Sequence, residues 1–382
     1  MRFWTVDLYS IGINELGTGV AIVLDHLMDY WQDCGLKLDP ALFEINLPFY
    51  MESERWWQKE DFNQKKVSDR QTYLACLSEK ELKLIEWMKN KVNPSLSNIN
   101  DDDNSMAKTK ARQIHLRSSG INSIPGDKIC SNLTNNLLIT RIAFQNYIIP
   151  KMSCFIYSDV QIGLNIFMDS LVNSKDIIGE SGKFLIIIDP PWENKSVKRK
   201  RNYNSQGPDE ILQAFALLEK ICKLLNDRKL DVRVALWTTQ KYKQFCLDHL
   251  LPAMNMKLEM CLLWHKITKS WESSKIRGGR EYLLIGSQKG RQNVLDGVLI
   301  SIPSAIHSHK PPIDFNFPWL QDESTNQFFQ QTNETKILTE SLRHDVLPRL
   351  KGIELYARYL RPNFLSIGHE CIKLQCSDIF SH

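Results

Sequence analysis

The chain has 382 residues, of which 43% are apolar, enough to bury a substantial core and too many for a wholly disordered polypeptide. A formal net charge of +4 is too small an excess to argue by itself for a polyanionic partner. The nine cysteines are scattered, odd in number and lack any CxxC pair, which argues against a structural zinc module and for reduced core thiols in an intracellular protein. No apolar run approaches the roughly 20 residues a bilayer demands, and Met1 to Trp4 lead into no continuous apolar stretch, so neither a membrane span nor a signal peptide is expected.

In chain order, Leu16 to Trp31 has helical spacing, with Val20, Val23, Leu24, Leu27, Tyr30 and Trp31 able to share a face. Glu79 to Lys91 repeats that spacing. Residues 1–95 therefore read as a smaller, mainly helical accessory domain. From 96 to 130 Ser, Asn, Asp and Lys dominate, and the segment reads as a linker or disordered loop. Residues 131–382 alternate strands with amphipathic helices. Phe184 to Ile188 is a continuous apolar run, as in a strand buried on both faces. Ile211 to Leu225 and Tyr242 to Leu251 read as helices. Val232 to Trp237, Leu258 to Trp264, Tyr282 to Ile285, Val298 to Ile302, Ile353 to Tyr356 and Phe364 to Ile367 read as strands. The alternation argues for a doubly wound α/β sheet. Residues 313–337 look like an inserted loop.

The tetrapeptide Asp189-Pro190-Pro191-Trp192 directly follows the apolar strand, where open α/β sheets bind ligands. A chance match in a chain of this length is expected about once in a thousand. Two prolines also suit a rigid turn leaving a strand, so the tetrapeptide alone leaves both readings open.

Further ordered motifs decide between them: Ser158-Asp159-Val160, the run from Asp189 to Tyr203, Leu236-Trp237-Thr238-Thr239, Leu263-Trp264-His265-Lys266, Gly279-Arg280-Glu281-Tyr282, His307-Ser308-His309-Lys310-Pro311, Glu354-Leu355-Tyr356-Ala357-Arg358 and Arg361-Pro362-Asn363-Phe364. Over about 150–374 this pattern resembles the eukaryotic DPPW adenine N6-methyltransferase family, and within it the methyltransferase-like protein 4 branch. The resemblance implies a Rossmann-like S-adenosylmethionine-dependent methyltransferase domain with permuted motif order, the catalytic motif preceding the main cofactor motif.

It also implies roles. Asp189, Pro190, Pro191 and Trp192 would receive the adenine. An exocyclic amine is a poor nucleophile because its lone pair is delocalised. The Asp189 carboxylate and the Pro190 carbonyl can accept its two N–H hydrogens, while Trp192 or the proline rings offer a flat partner. S-adenosyl-L-methionine is the implied cofactor: Asp159 and Val160 would hold its adenine, Lys310 its carboxylate, Glu354 and Arg358 its ribose, and Asn363, His369 and Glu370 the last cofactor-facing segment, with Asp189 beside it. His369-Glu370 departs from the amides that relatives often carry. The basic run Lys195, Lys198, Arg199, Lys200 and Arg201, with Asn194 beside it, and the stretch holding Arg277 and Arg280 suit phosphate contact; the first also suits a nuclear localisation signal. No carboxylate or cysteine lies near His307 and His309 in the sequence, so no metal is expected. The branch implies RNA, an internal (2′-O-methyl)adenosine of U2 small nuclear RNA, in the nucleus and conceivably the cytoplasm. DNA adenine is the second substrate reading. A non-catalytic nucleic-acid-binding partner subunit is the third, and it is disfavoured because such partners have lost the aspartate that is intact here. No obligate protein partner is implied, and a monomer is expected.

Overall fold

The computed structural model describes residues 4–7, 20–24, 37–46, 104–118, 126–142, 145–174, 176–179, 182–192, 208–269, 281–306, 309–311, 313, 337–338 and 342–381. In chain order the strands are β1 (Trp4–Asp7), β2 (Val20–Leu24), β3 (Lys37–Leu38), β4 (Cys130–Asn132), β5 (Leu137–Ile142), β6 (Gln145–Ile149), β7 (Ser153–Ile156), β8 (Lys183–Ile188) and β9 (Asp231–Thr239). They continue with β10 (Lys257–Lys266), β11 (Glu281–Ser287), β12 (Leu295–Ser301), β13 (Ile337–Leu338), β14 (Arg343–His344), β15 (Gly352–Leu355), β16 (Phe364–Ile367) and β17 (Phe380–Ser381). The longer helices are α1 (Ser105–Ser118), α2 (Val160–Asn173) and α3 (Pro208–Asp227).

Among the described residues, twelve strands form one sheet in the order β1-β2-β12-β10-β11-β9-β8-β15-β16-β7-β4-β14. Its centre, β9-β8-β15-β16-β7, is parallel. Antiparallel pairs flank the centre on both sides, β9 with β11 and β7 with β4. The parallel strands are buried on both faces, which is why Phe184 to Ile188 is apolar without alternation.

Side chains divide by strand parity. Phe184, Ile186 and Ile188 join Val160, Leu164, Phe167 and Leu171 of α2 and Ile211, Phe215, Leu218 and Leu225 of α3 on one face. Those helical residues recur at spacings of three, four and seven, one stripe per helix. Leu185 and Ile187 point the other way, to Trp237, Trp264 and Phe364. A third cluster joins Leu38, Leu42 and Phe43 to Ile114 of α1, to Phe155 of β7 and to Ile372, Ile379 and Phe380 near the C-terminus. Gly163 lets α2 lie directly on β16: a Cβ there would meet Ile367 Cγ2 at 2.3 Å. Among the described residues no helix is long and apolar enough to cross a membrane.

The structure revises the sequence reading at two N-terminal elements. Val20–Leu24, read as helix, is a strand that runs antiparallel to β1 and parallel to β12. Val and Ile are residue types that favour extended backbone, and a short all-apolar run carries no period that separates strand from helix. Ser105–Ser118, inside the segment read as a disordered linker, is an α-helix with Ala107 and Ile114 buried. Lys110 on this helix pairs with Asp39 at 2.8 Å. The expected helix at Glu79 to Lys91 and most of the expected insertion, 314–336, lie outside the described residues, whereas Ile337–Leu338 pairs in parallel with Leu137–Leu138.

Candidate active site

The carboxyl ends of β8, β15, β16 and β7 open at one edge of the sheet, as ligand-binding crevices of open α/β sheets do. Asp189 stands at the first of these ends, Tyr356 to Arg358 at the second, Gly368 to Glu370 at the third and Tyr157 to Asp159 at the fourth.

Asp189 is 7% exposed and lies between two cations: Arg358 Nη1 donates to Oδ2 at 2.6 Å, and Lys310 Nζ is 3.4 Å from Oδ1. Both cations have a second carboxylate. Lys310 pairs with Glu281, which also takes Lys266, and Arg358 Nε donates to Glu370 Oε2 at 3.1 Å. Lys373 bonds the other Glu370 oxygen at 2.5 Å. A chain of alternating charge thus runs from β10 across β11 and β8 to the segment after β16. Burial pulls the Lys310 ammonium toward its neutral form, but Asp189 and Glu281 together outweigh it and hold the group above the ordinary lysine range. Burial likewise pushes Glu370 up, and Arg358 and Lys373 reverse it, so the carboxyl sits below its usual value. The Lys310 ammonium also lies 5.3 Å from the Trp237 ring centroid and 5.7 Å from that of Trp264.

The rest of the tetrapeptide is wall. Pro190 and Pro191 are buried, and the Trp192 indole stacks on Tyr242 with centroids 4.7 Å apart and planes 17° apart. Its Nε1 donates to the Trp237 carbonyl at 3.1 Å. At 9% exposure Trp192 is built into the protein rather than presented as a free stacking surface, which revises the role expected for it. The Pro190 carbonyl, expected to be open, already accepts the Trp192 N–H at 2.8 Å and keeps only its second lone pair.

The residues expected around a cofactor divide into three groups. Asp189, Lys310, Arg358 and Glu370 form the charge chain, and His369 is exposed beside them, edge-on to Tyr157 at 6.0 Å. Asp159 caps α2, accepting the Gln161 N–H at 2.8 Å, and Val160 buries its side chain in the helical face, leaving its backbone at the crevice. Glu354 and Asn363 are not part of the charge chain. Glu354 is 5% exposed inside β15, and its Oε2 accepts from Arg361 Nε at 2.6 Å. Asn363 precedes β16, whereas His369 and Glu370 follow it, so the strand separates them along its length. At this opposite edge the Asn363 N–H donates to the Met152 carbonyl and the Lys351 N–H to the Asn363 carbonyl, both at 2.7 Å. Its φ of +60° is one that asparagine tolerates.

Asn194, Lys195, Lys198, Arg199, Lys200, Arg201, Arg277 and Arg280 lie outside the described residues, as does His307. His309 is buried between Phe43 and Tyr359, with Nδ1 2.9 Å from Ser304 Oγ. Sequence reasoning missed Glu281, Lys266, Tyr242 and Arg361 as site or supporting residues. The available signal was a charged residue at the end of an apolar strand inside a matched motif, as in Leu-Trp-His-Lys and Gly-Arg-Glu-Tyr.

Comparison with known proteins agrees with this geometry. Residues 184–370 match the MT-A70 family model, a span running from β8 to Glu370. The chain is 29% identical over 256 residues to the N(6)-adenine-specific methyltransferase METTL4 of Mus musculus, covering 62% of this chain and 45% of that protein. It is 26% identical over 248 residues to a DNA N6-methyl methyltransferase of Caenorhabditis elegans, covering 62% and 56%. It is 30% identical over 206 residues to the N6-methyladenosine RNA methyltransferase MTA1 of Cryphonectria parasitica, covering 50% and 52%. The chain spans about half the length of the curated relatives it matches. The sheet, its carboxyl-edge crevice and the acidic tetrapeptide at β8 are those of a Rossmann-like methyltransferase domain, and over residues 184–370 the chain carries an MT-A70 domain.

Proposed function

We propose that the protein is an adenine N6-methyltransferase acting on nucleic acid with S-adenosyl-L-methionine as methyl donor. The observation that carries the reading is Asp189: a carboxylate at the carboxyl end of a central parallel strand, held between Arg358 and Lys310 in a buried crevice. The residues present fit the donor. Lys310 and Arg358 suit an anionic carboxylate, and Glu370 and Asp189 suit hydroxyls and a positive sulfonium. Gly368, at φ +151°, brings the backbone close beneath Tyr356 and Ala357, so the floor between β15 and β16 is bare of side chain. When bound, the donor supplies an electrophilic methyl group.

The chain's own groups do the remainder by positioning and electrostatics. Asp189 accepts one N–H of the adenine amine, and the second lone pair of the Pro190 carbonyl accepts the other, which directs the nitrogen lone pair outward. The negative charge of Asp189 faces the positive charge that develops on nitrogen as the C–N bond forms. The proton then lost from nitrogen passes to Asp189 or to water. Buried Trp192 and Tyr242 hold the tetrapeptide in place and exclude solvent.

RNA is the first substrate reading, with an internal (2′-O-methyl)adenosine of U2 small nuclear RNA the specific candidate and the nucleus the matching location. DNA is the second, favoured by the similarity to the Caenorhabditis elegans protein. Incubation with methyl-labelled S-adenosylmethionine and matched RNA and DNA oligonucleotides separates them. Label on RNA adenosine alone supports the first reading, label on DNA alone the second, and label on neither removes both.

A further inference from the structure

We infer that Lys241 and Lys243, just past the carboxyl end of β9, hold the phosphate backbone of a single-stranded nucleic acid as its target base enters beside Asp189. The inference rests on the methyl-transfer reading above and adds where the substrate strand runs.

The first observation is how the crevice divides around Asp189. Of the groups suited to a donor, Arg358, His369, Glu370 and Asp159 follow β15, β16 or β7, on one side of β8, while Lys310 reaches Asp189 from beside Glu281 of β11. The other side of β8 is β9 and then β11. A nucleotide and the donor cannot share one flank, so the nucleotide approaches over β9 and β11.

The second observation is what that flank presents. Trp192 stacks on Tyr242, and Lys241 Nζ lies 2.7 Å from the Tyr242 hydroxyl and 4.4 Å from the ring centroid. Lys243 Nζ is 4.4 Å above the Tyr282 ring, and the Tyr282 hydroxyl donates to Gln240 Oε1. Tyr282 directly follows Glu281, the partner of Lys310. Contacts therefore lead from Trp192, three residues past Asp189, through Tyr242 to Lys241 at the rim. Gln240 and Lys241 are exposed, and Lys243 is half-buried. Among the described residues Lys243 touches the Tyr282 ring and the Cys261 thiol and no carboxylate.

Tyrosine rings that hold ammonium groups at a rim lower the entropy lost when those groups grip a phosphate. Cations beside aromatic side chains are the features of single-strand grooves. A duplex is disfavoured because Asp189 is buried, and a base must leave its stack to reach it.

The test compares Lys241→Gln/Lys243→Gln with Lys241→Arg/Lys243→Arg and with a control pair, Lys220→Gln/Lys223→Gln, on the exposed side of α3. Binding of a fluorescein-labelled single-stranded adenosine-containing RNA is measured across a salt series, with methyl-transfer kinetics on the same RNA. The Gln pair should lower the slope of log K against log salt by about 1.4, at roughly 0.7 per phosphate contact, and should raise KM more than it lowers kcat. The Arg pair should retain the slope, and so should the α3 control. An unchanged slope in the Gln pair, or an equal loss in the α3 control, overturns the inference while leaving methyl transfer intact. If the wild-type protein neither binds nor methylates the RNA or its DNA counterpart, the methyl-transfer reading falls, and this inference falls with it.

Discussion

At the residue scale, the ion pairs at Asp189 and at Glu354 carry different predictions. Replacing Asp189 by Asn keeps its shape and removes the charge proposed to face the reacting nitrogen. Turnover should fall by about two to three orders of magnitude, as for loss of a preorganised electrostatic contact, while the protein stays folded because Glu281 and Glu370 still pair with Lys310 and Arg358. Single-turnover methyl transfer beside a thermal melt measures both, and wild-type-like turnover removes Asp189 from the chemistry. Glu354 and Arg361 behave differently. They form a buried pair, so Arg361→Met leaves an uncompensated carboxylate and should cost about 3–5 kcal/mol in denaturant unfolding. Removing both partners should cost less than the sum of the single changes. If Glu354→Gln instead weakens S-adenosylmethionine binding in calorimetry at unchanged stability, Glu354 is a ligand group and its assignment to the core is wrong.

At the element scale, strands with a strong burial signature were legible in the amino-acid pattern and thin stripes were not. The apolar run at β8, the seven-residue recurrences of α3 and the bounds of β16 can be read directly, because burial on one or both faces leaves a period or a continuous run. The helix at 105–118 is hidden by its composition, since most of its residues are polar and Ala107, Ala111 and Ile114 give only a thin inward stripe. Asn363 illustrates a different limit. Motif residues adjacent in sequence lie at opposite edges of the sheet when a strand runs between them, and a motif match alone does not show this. The contact of α2 with β16 carries its own prediction. Gly163→Val must push Ile367 or the helix aside, because even a Cβ is 2.3 Å from Ile367 Cγ2. The cost should be about 1–3 kcal/mol. Since Asp159 and Gly368 to Glu370 flank that contact, S-adenosylmethionine affinity should fall too; calorimetry showing full affinity would mean that α2 does not shape the crevice.

At the scale of the whole molecule, residues 38–43 and the C-terminal segment meet in one core: Leu38 and Phe43 pack with Ile372 and Phe380, while β2 lengthens the central sheet. His309 sits in this shared region, facing Ser304 and the rings of Phe43 and Tyr359, and burial with the nearby Arg361 guanidinium holds its pKa down to about 4. The unfolded chain binds that proton more readily than the folded one, so the contribution is complete above the ordinary histidine value of 6.5 and is lost as pH falls from there toward 4. Roughly 3 kcal/mol is at stake over that window. Urea unfolding from pH 7 to pH 4 should show it, and His309→Gln should flatten that part of the profile. The proposed transfer of a methyl group onto the amine of adenine has a more direct test. Wild-type protein and the Asp189→Asn variant are each given methyl-labelled S-adenosylmethionine and single-stranded adenine-containing oligonucleotides, and the products are digested to nucleosides and separated. Label is expected in N6-methyladenine with wild type and almost none with the variant; label on a ring nitrogen, label on the protein, or equal N6 label from both proteins would rule out N6 transfer directed by Asp189.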